Sequence, residues 1–249
     1  MSAPRLPADG TARLVLVTRP QPDADATLAA LAARGFAGVA APMQRVVRLA
    51  PRPMPAAAAI LLTSRNGVRA FAAGAALRRL PVFCVGDATA AQAREAGFVD
   101  VRSAGADAKA LARLVASSCS PNAGALLMAT ATGAGLSLAT ALRQQGFRVQ
   151  RRTVYRMEPT HALPAPARAA LGAGQVGCVL FHAAGAARAF VTLLREAGLA
   201  ETVRGVEAVA ISAAAAKPLG TLPWRKTSWP ALPTEAAMLG LLPSRMRSG

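Results

Sequence analysis

Three short polar stretches stand where apolar runs end, and their residue types suit the binding of anions. Thr63-Ser64-Arg65-Asn66-Gly67 follows Ala59-Ile60-Leu61-Leu62, and Gly86-Asp87-Ala88-Thr89 follows Val82-Phe83-Cys84-Val85. Thr18-Arg19-Pro20 likewise ends Leu14-Val15-Leu16-Val17. Where a strand gives way to a helix, the first backbone N–H groups have no partner inside the helix and are free to hold an anion. Arg65 and Arg19 add positive charge beside such turns. Arg19, Thr63, Ser64, Arg65, Asn66, Gly86 and Thr89 are therefore carboxylate-binding candidates. A plainer reading stands beside this one: Ser64 or Asn66 as a helix N-cap explains the first stretch, and Asp87 as an N-cap explains the second. Tyr155 is the only tyrosine in the chain. Its phenol either faces a ligand, where it can donate a proton, or packs.

Familiar cofactor and metal signatures fail. Gly133-Ala134-Gly135 opens a dinucleotide fingerprint, but Leu138 takes the place of the last glycine. There is no phosphate-binding GxxxxGK[ST] and no GxSxG nucleophile elbow. His161 and His182, with the dispersed Cys84, Cys119 and Cys178, show no zinc-ligand spacing. The expectation is chemistry without cofactor or metal.

The elements that must position these residues alternate along the chain. Residues 13–18 read as a buried strand that Pro20 and Pro22 stop, and 23–34 as a helix with acids in its first turn, Arg34 in its last and Gly35 beyond. Strands are expected at 59–63 and 82–86, helices at 66–73, from Asp87 to Gly97, and at 107–118, the last with an apolar stripe of Leu111, Leu114 and Val115. Strand then helix, repeated, implies parallel sheets with helices on both faces.

The chain also resembles itself. Residues 14–42 match 125–155, with ALAARGF (30–36) beside ALRQQGF (141–147). AILLTSRNGVRAF (59–71) echoes CVLFHAAGAARAF (178–190), and 81–97 is echoed weakly by 206–220. One α/β unit thus occurs twice, which implies two domains of similar architecture with a ligand cleft between them, where strand C-termini and helix starts converge. The proline-rich stretches 51–55 and 159–166 read as surface connections. Extended, arginine-studded segments at 44–49 and 148–158 hold equivalent positions in the two copies and are expected to pair as a two-stranded ladder.

Composition bounds the function. The chain has 249 residues, 53% hydrophobic and 4% aromatic, so its core is built from Ala, Leu and Val. No apolar run approaches the ~18–20 residues of a membrane-spanning helix. The four apolar residues Leu14–Val17 are too few for a signal-peptide core. Three cysteines, odd in number and far apart, fit a reducing compartment, so a cytoplasmic protein is expected. Lys+Arg 29 against Asp+Glu 12 leaves +17, nearly all of it arginine. That excess reads either as the bias of a GC-rich genome or as a polyanionic partner, nucleic acid or a small molecule with several carboxylates or phosphates. The arginines are scattered and no nucleic-acid-binding motif appears.

Five stretches together resemble the uroporphyrinogen-III synthase family: VTRPQPDADATLAALAARGF (17–36), LLTSRNGVRAF (61–71), VFCVGDATAAQAREAGF (82–98), ALRQQGFRVQRRTVYRMEP (141–159) and WPALPTEAAM (229–238). The similarity runs from about Arg13 to Met238 and lies in their order and spacing rather than in one motif. It implies two similar parallel-sheet α/β domains joined by a two-stranded β-ladder at 43–49 and 148–158. Residues 1–42 and 157–249 would form one domain and 46–150 the other. It further implies a monomer acting on a linear tetrapyrrole with eight carboxylates, with no cofactor, metal, nucleic acid or membrane. The implied reaction cyclises hydroxymethylbilane to uroporphyrinogen III, with loss of water and inversion of ring D through a strained spiro intermediate. Tyr155 matches the family's cleft tyrosine and would assist hydroxyl loss; His182 and Ser212 join the substrate-binding candidates in the second half.

The chain also departs from the family. His182-Ala183-Ala184-Gly185 replaces a Ser-Pro-Ser-like turn, Ser212 with Ala213 to Ala216 replaces Gly-Pro-Thr-Thr-Ala, and 128–135 lacks a charged, glycine-rich turn. His182 is either a substitute donor or a neutral strand-end histidine. The lost hydroxyls leave one alternative: a catalytically impaired paralogue acting as a tetrapyrrole- or polyanion-binding module.

Overall fold

The structure, a computed structural model, describes residues 13–50, 53–71 and 74–243. Pro51 and Arg52 of the proline-rich stretch, and Ala72 and Ala73 of the helix expected at 66–73, lie outside the described residues.

The strands, in chain order, are β1 (Leu14–Val17), β2 (Gly38–Ala40), β3 (Gln44–Arg48), β4 (Ala59–Leu62), β5 (Val82–Cys84), β6 (Val101–Ser103), β7 (Leu126–Ala131), β8 (Val149–Pro159), β9 (Val176–Phe181), β10 (Glu207–Ala210) and β11 (Lys226–Ser228). They build two sheets, ordered β11-β10-β9-β1-β2 and β3-β8-β7-β4-β5-β6. Every pair in the first sheet is parallel, as is every pair from β8 to β6 in the second. Parallel strands need crossovers, and helices supply them. The protein is thus α/β with two parallel-dominated sheets, as the alternation of elements predicts. At the edge, Leu49 N–H donates to the Val154 carbonyl and Thr160 N–H to that of Met43. Residue numbers rise on β3 as they fall on β8, so this pair is antiparallel.

The chain divides into two compact units, Met1–Arg45 with Glu158–Gly249, and Val46–Met157. Each has a core on both faces of its sheet. In the first unit Leu14 and Leu16 point into one cluster with Phe181, Phe190 and Val206, while Val15 and Val17 point into another with Ala24, Leu31 and Met238. In the second, Ala59 and Leu61 join Leu111, Val115 and Leu142, while Ile60 and Leu62 join Val68, Phe71 and Ala90. Alternate residues of a strand face opposite sides, so burial on both faces requires the unbroken apolar runs of β1 and β4.

The internal repeat is written into the sheet order. Reading β2-β1-β9-β10-β11 against β8-β7-β4-β5-β6 matches the strands one for one; the sequence echoes assign the first four pairs, and the sheet order adds β11 with β6. Setting aside the edge strand β3, each sheet takes two strands from one copy and three from the other, so each unit is assembled from both halves of the duplication.

Three local expectations need correction. Gly86, not Asp87, is the N-cap of the helix Asp87–Glu95, because the chain is still extended at Gly86 and Asp87 already lies in the first turn. The first helix, Asp23–Ala32, stops before Arg34, whose guanidinium reaches back to the Ala30 carbonyl; Gly35 follows at φ 77, a conformation open to glycine. The connection expected at 159–166 is shorter, since Ala165–Gly172 is a helix with Pro166 in its first turn, where a missing N–H costs no helical hydrogen bond.

Candidate functional site

The first corner lies in the second unit, where the C-terminal end of β4 meets the middle of β8. Ser64 is extended and caps the helix Arg65–Ala70, its Oγ accepting the Gly67 N–H. The same Oγ lies 3.0 Å from the Tyr155 hydroxyl. Because Oγ is already an acceptor for Gly67, the pair shares its remaining protons in one of two ways. If Ser64 donates, the Tyr155 proton is free for a ligand; if Tyr155 donates, the Ser64 proton is. Tyr155 is 6% exposed and its ring packs with Ile60, Leu62, Val68 and Val154. The ring thus packs while its phenol joins a polar pair. Gly67 sits against both partners: a Cβ there would lie 3.2 Å from Ser64 Oγ and 3.9 Å from Tyr155 Cε1.

The other candidates of this unit surround that pair differently. Thr63 and Arg65 are half-buried beside Ser64. Asn66 points along its own helix, its Oδ1 accepting from Arg69 at 2.7 Å, and Arg69 continues to Gln92 at 3.0 Å. Asn66 thereby braces this helix against Asp87–Glu95. Gly86 is open, with nothing within 4 Å of where a Cβ would stand, and Thr89 is buried in the turn that follows.

The second corner belongs to the first unit. Arg19 follows β1 and is 12% exposed in its side chain; it meets Asp23 at 3.3 Å, Glu235 at 3.1 Å and Thr27 at 3.2 Å. It does bind carboxylates, and they are the protein's own. Thr27 donates to Glu235, and His182 Nε2, at the end of β9, lies 3.8 Å from Glu235 Oε1. Ser212 caps the short helix Ala213–Ala216 through the Ala215 N–H. Glu235 is the residue that sequence reasoning missed. The available signal was its place in a first helical turn behind the cap Thr234, where a carboxylate is favoured.

The facing His182 imidazole, the Thr27 hydroxyl and the Arg19 guanidinium together hold the Glu235 carboxyl down from an ordinary 4.5 to about 2, against the opposing pull of burial. A carboxylate favoured in the folded state stabilises it fully above the unfolded value, and that contribution disappears as pH falls from about 4.5 to about 2. Glu235→Gln is therefore expected to lower the urea midpoint near pH 7. The deficit relative to the unaltered chain should shrink steadily below pH 4.5. A deficit independent of pH would contradict this reading.

Among the described residues no three His, Cys, Asp or Glu side chains come together to hold a metal ion. Burial pushes the Cys84 thiol up to about 11 and raises those of Cys178 and Cys119, which leaves them poor nucleophiles at neutral pH. No helix of the described residues is long and apolar enough to cross a membrane.

Comparison with known proteins places the chain. A family model described as uroporphyrinogen-III synthase HemD matches residues 25–240. Among solved structures, uroporphyrinogen-III synthetase from Helicobacter pylori 26695 aligns with a TM-score of 0.62 at 17% identity, over 92% of this chain and 97% of that one. A mutant uroporphyrinogen III synthase from the extremely thermophilic bacterium Thermus thermophilus aligns with a TM-score of 0.53 at 19% identity, over 92% and 96%. At such identities these likenesses speak for a shared fold. A search of curated proteins found no match.

Proposed function

The chain belongs to the uroporphyrinogen-III synthase family, and from that premise we propose how its residues carry out the family's reaction. That reaction closes the linear tetrapyrrole hydroxymethylbilane into uroporphyrinogen III, with loss of water and inversion of ring D, and makes the protein a cyclising lyase of porphyrin and haem biosynthesis. Its substrate is a small molecule bearing eight carboxylates.

The observation that carries the residue assignment is the Ser64–Tyr155 hydroxyl pair at 3.0 Å. Tyr155, the catalytic candidate, hands its proton to the departing hydroxyl as the carbon–oxygen bond breaks, so that water leaves and a conjugated azafulvene remains. The substituted carbon of ring D attacks, the spiro intermediate rearranges, and the proton released on aromatisation returns to the phenolate. Proton and water both balance. The harder task is conformational, since unassisted closure joins the unsubstituted carbon and gives the wrong isomer. Binding energy from the carboxylates must hold the unlikely geometry. Thr63, Ser64, Arg65 and Asn66, with the open Gly86 and the buried Thr89 of the turn after it, supply donors for this from the second unit. The turns at His182 and Ser212 supply them from the first, with Arg19 framing that corner through Glu235. The +17 charge favours such a substrate.

We extend the reading to a cytoplasmic monomer with no nucleic-acid partner, supported by the dispersed free cysteines and the lack of a nucleic-acid-binding motif. Supplying the full chain with hydroxymethylbilane generated in situ tests the proposal. Catalytic amounts should speed its disappearance far above the spontaneous rate, and no acceleration would overturn it.

The geometry around Gly67 gives a sharper check. An alanine there favours the helix by roughly 0.5–1 kcal/mol, yet its methyl presses on Ser64 Oγ from 3.2 Å. Gly67→Ala is expected to keep the urea midpoint within about 1 kcal/mol of the parent while slowing cyclisation several-fold. Equal activity would show that the Ser64 position is not critical.

A further inference from the structure

The two copies of the repeat differ in one corner, and the difference points to a ligand. Val15 pairs with Cys178 and Leu126 with Ala59. Cys178 and Ala59 open the matched sequences, so Leu126 corresponds to Val15, Met128 to Val17 and Thr130 to Arg19. Val17 pairs with Ala40 on β2, and Met128 with Arg151 on β8, so Arg151 stands where the first copy has Ala40.

In the first copy the turn after the strand is self-neutralised. Arg19 is held by Asp23, in the first turn of the next helix, and by Glu235. Among the described residues the second copy shows no such neutralisation. The helix Leu136–Gln144, nine residues long, has no acid in its first turn, and its N-cap Gly135 offers no side-chain cap. Thr130, 1% exposed, has a buried hydroxyl with no hydrogen-bond partner. It lies directly beneath the helix start: a Cβ on Gly135 would be 3.2 Å from its Oγ1 and 2.8 Å from Met128 Sδ, so only glycine allows the approach. Arg151 reaches the same turn, donating to the Ala134 carbonyl at 2.7 Å, while its buried Nε has no partner. Arg151 also lines, with Arg152 and Thr153, a cavity of about 640 Å³ whose lining contains no acidic residue. Gly133 and Gly135 both stand at φ 76; within the turn the Thr132 N–H donates to the Tyr155 carbonyl and that of Ala134 to Ala131, which leaves the N–H groups of Gly133, Gly135 and the first helical turn for an anion.

We propose that the turn from Ala131 to Gly135, with Thr130 and Arg151, is an oxyanion-binding site that seats one carboxylate arm of the linear tetrapyrrole. Resting on the synthase reading, it adds a subsite that the three polar stretches after β1, β4 and β5 do not contain. Uncapped helix N–H groups, a guanidinium and a hydroxyl together match a carboxylate, and the repeat shows what the same turn looks like when the protein fills it with acids of its own.

Calorimetric titration of the full chain with uroporphyrinogen III, kept reduced, tests this. Arg151→Gln is expected to weaken binding about tenfold and Thr130→Val a few-fold, whereas Arg113→Gln, on the exposed face of the helix Ala108–Ser118, should leave it unchanged. Inorganic phosphate and succinate serve as free-anion probes. Competition between either one and uroporphyrinogen III, lost in Arg151→Gln, supports the assignment. Binding of the small anions at the Leu136 amide without competition would overturn the carboxylate-arm reading. Equal affinities in Arg151→Gln and Arg113→Gln would overturn the site itself. The synthase reading is decided separately, by whether the unaltered chain accelerates cyclisation.

Discussion

Replacing Tyr155 by Phe is expected to slow formation of isomer III by about 100-fold, the scale on which a positioned general acid acts, while the chain stays folded. In the proposed mechanism the phenol proton meets the departing hydroxyl, and phenylalanine keeps the ring that packs with Ile60, Leu62 and Val68. Ser64 still caps its helix through Gly67, so only the 3.0 Å hydroxyl contact disappears, at a cost of about 1 kcal/mol. Slowed catalysis also lets spontaneous closure compete, so the fraction of isomer I should rise as the rate falls. Ser64→Ala removes both the cap and the partner of the phenol. It should cost about 1 kcal/mol of stability with a smaller loss of rate. An unchanged rate in Tyr155→Phe would remove the tyrosine from the reaction and leave binding geometry as the whole of catalysis.

The second large effect concerns the frame. Phe190 is fully buried, 5.3 Å from Phe181 edge to face and stacked on Trp224 at 5.9 Å. Truncation to alanine removes most of a large side chain from a packed cluster, which costs ~3–5 kcal/mol. Amide exchange should locate the damage. Protection in β1, β9 and β10 is expected to fall by about a thousandfold, while β4, β5 and β7 keep theirs, because their core draws on other residues. Equal loss in both sheets would mean that the two units unfold as one.

Strands such as β1 and β4 are legible because both faces of a parallel sheet are buried, which leaves an apolar run with no alternation to misread. The duplication was legible for the same reason: matched runs recur in matched order. The three-residue strands β6 and β11 carry too little pattern to stand out; β11 is Lys226, Thr227 and Ser228, and it is ordered by its neighbour β10 rather than by its own residues. The helix Ala165–Gly172 is hidden behind prolines that normally signal a loop.

The sites divide along a similar line. Ser64 was legible as a cap, because a cap is local; its contact with Tyr155 spans 91 positions, and spacing along the chain carries no trace of it. Glu235 meets Thr27 across 208 positions, so Arg19, which by itself reads as a free cation, is already partnered. The reverse holds at Thr130, a residue without signal in the sequence whose unmet hydroxyl appears only once the helix start is folded over it. Long-range polar partnership is what the linear pattern omits, and it decides which candidate groups remain available to a substrate.

The most direct test of the central claim is the isomer composition of the product when the full chain acts on hydroxymethylbilane. If its carboxylate-binding corners hold the substrate in the geometry that turns ring D over, isomer III should dominate, and the share of isomer I should fall as more protein is added. Product that remains isomer I at every protein concentration would contradict the account.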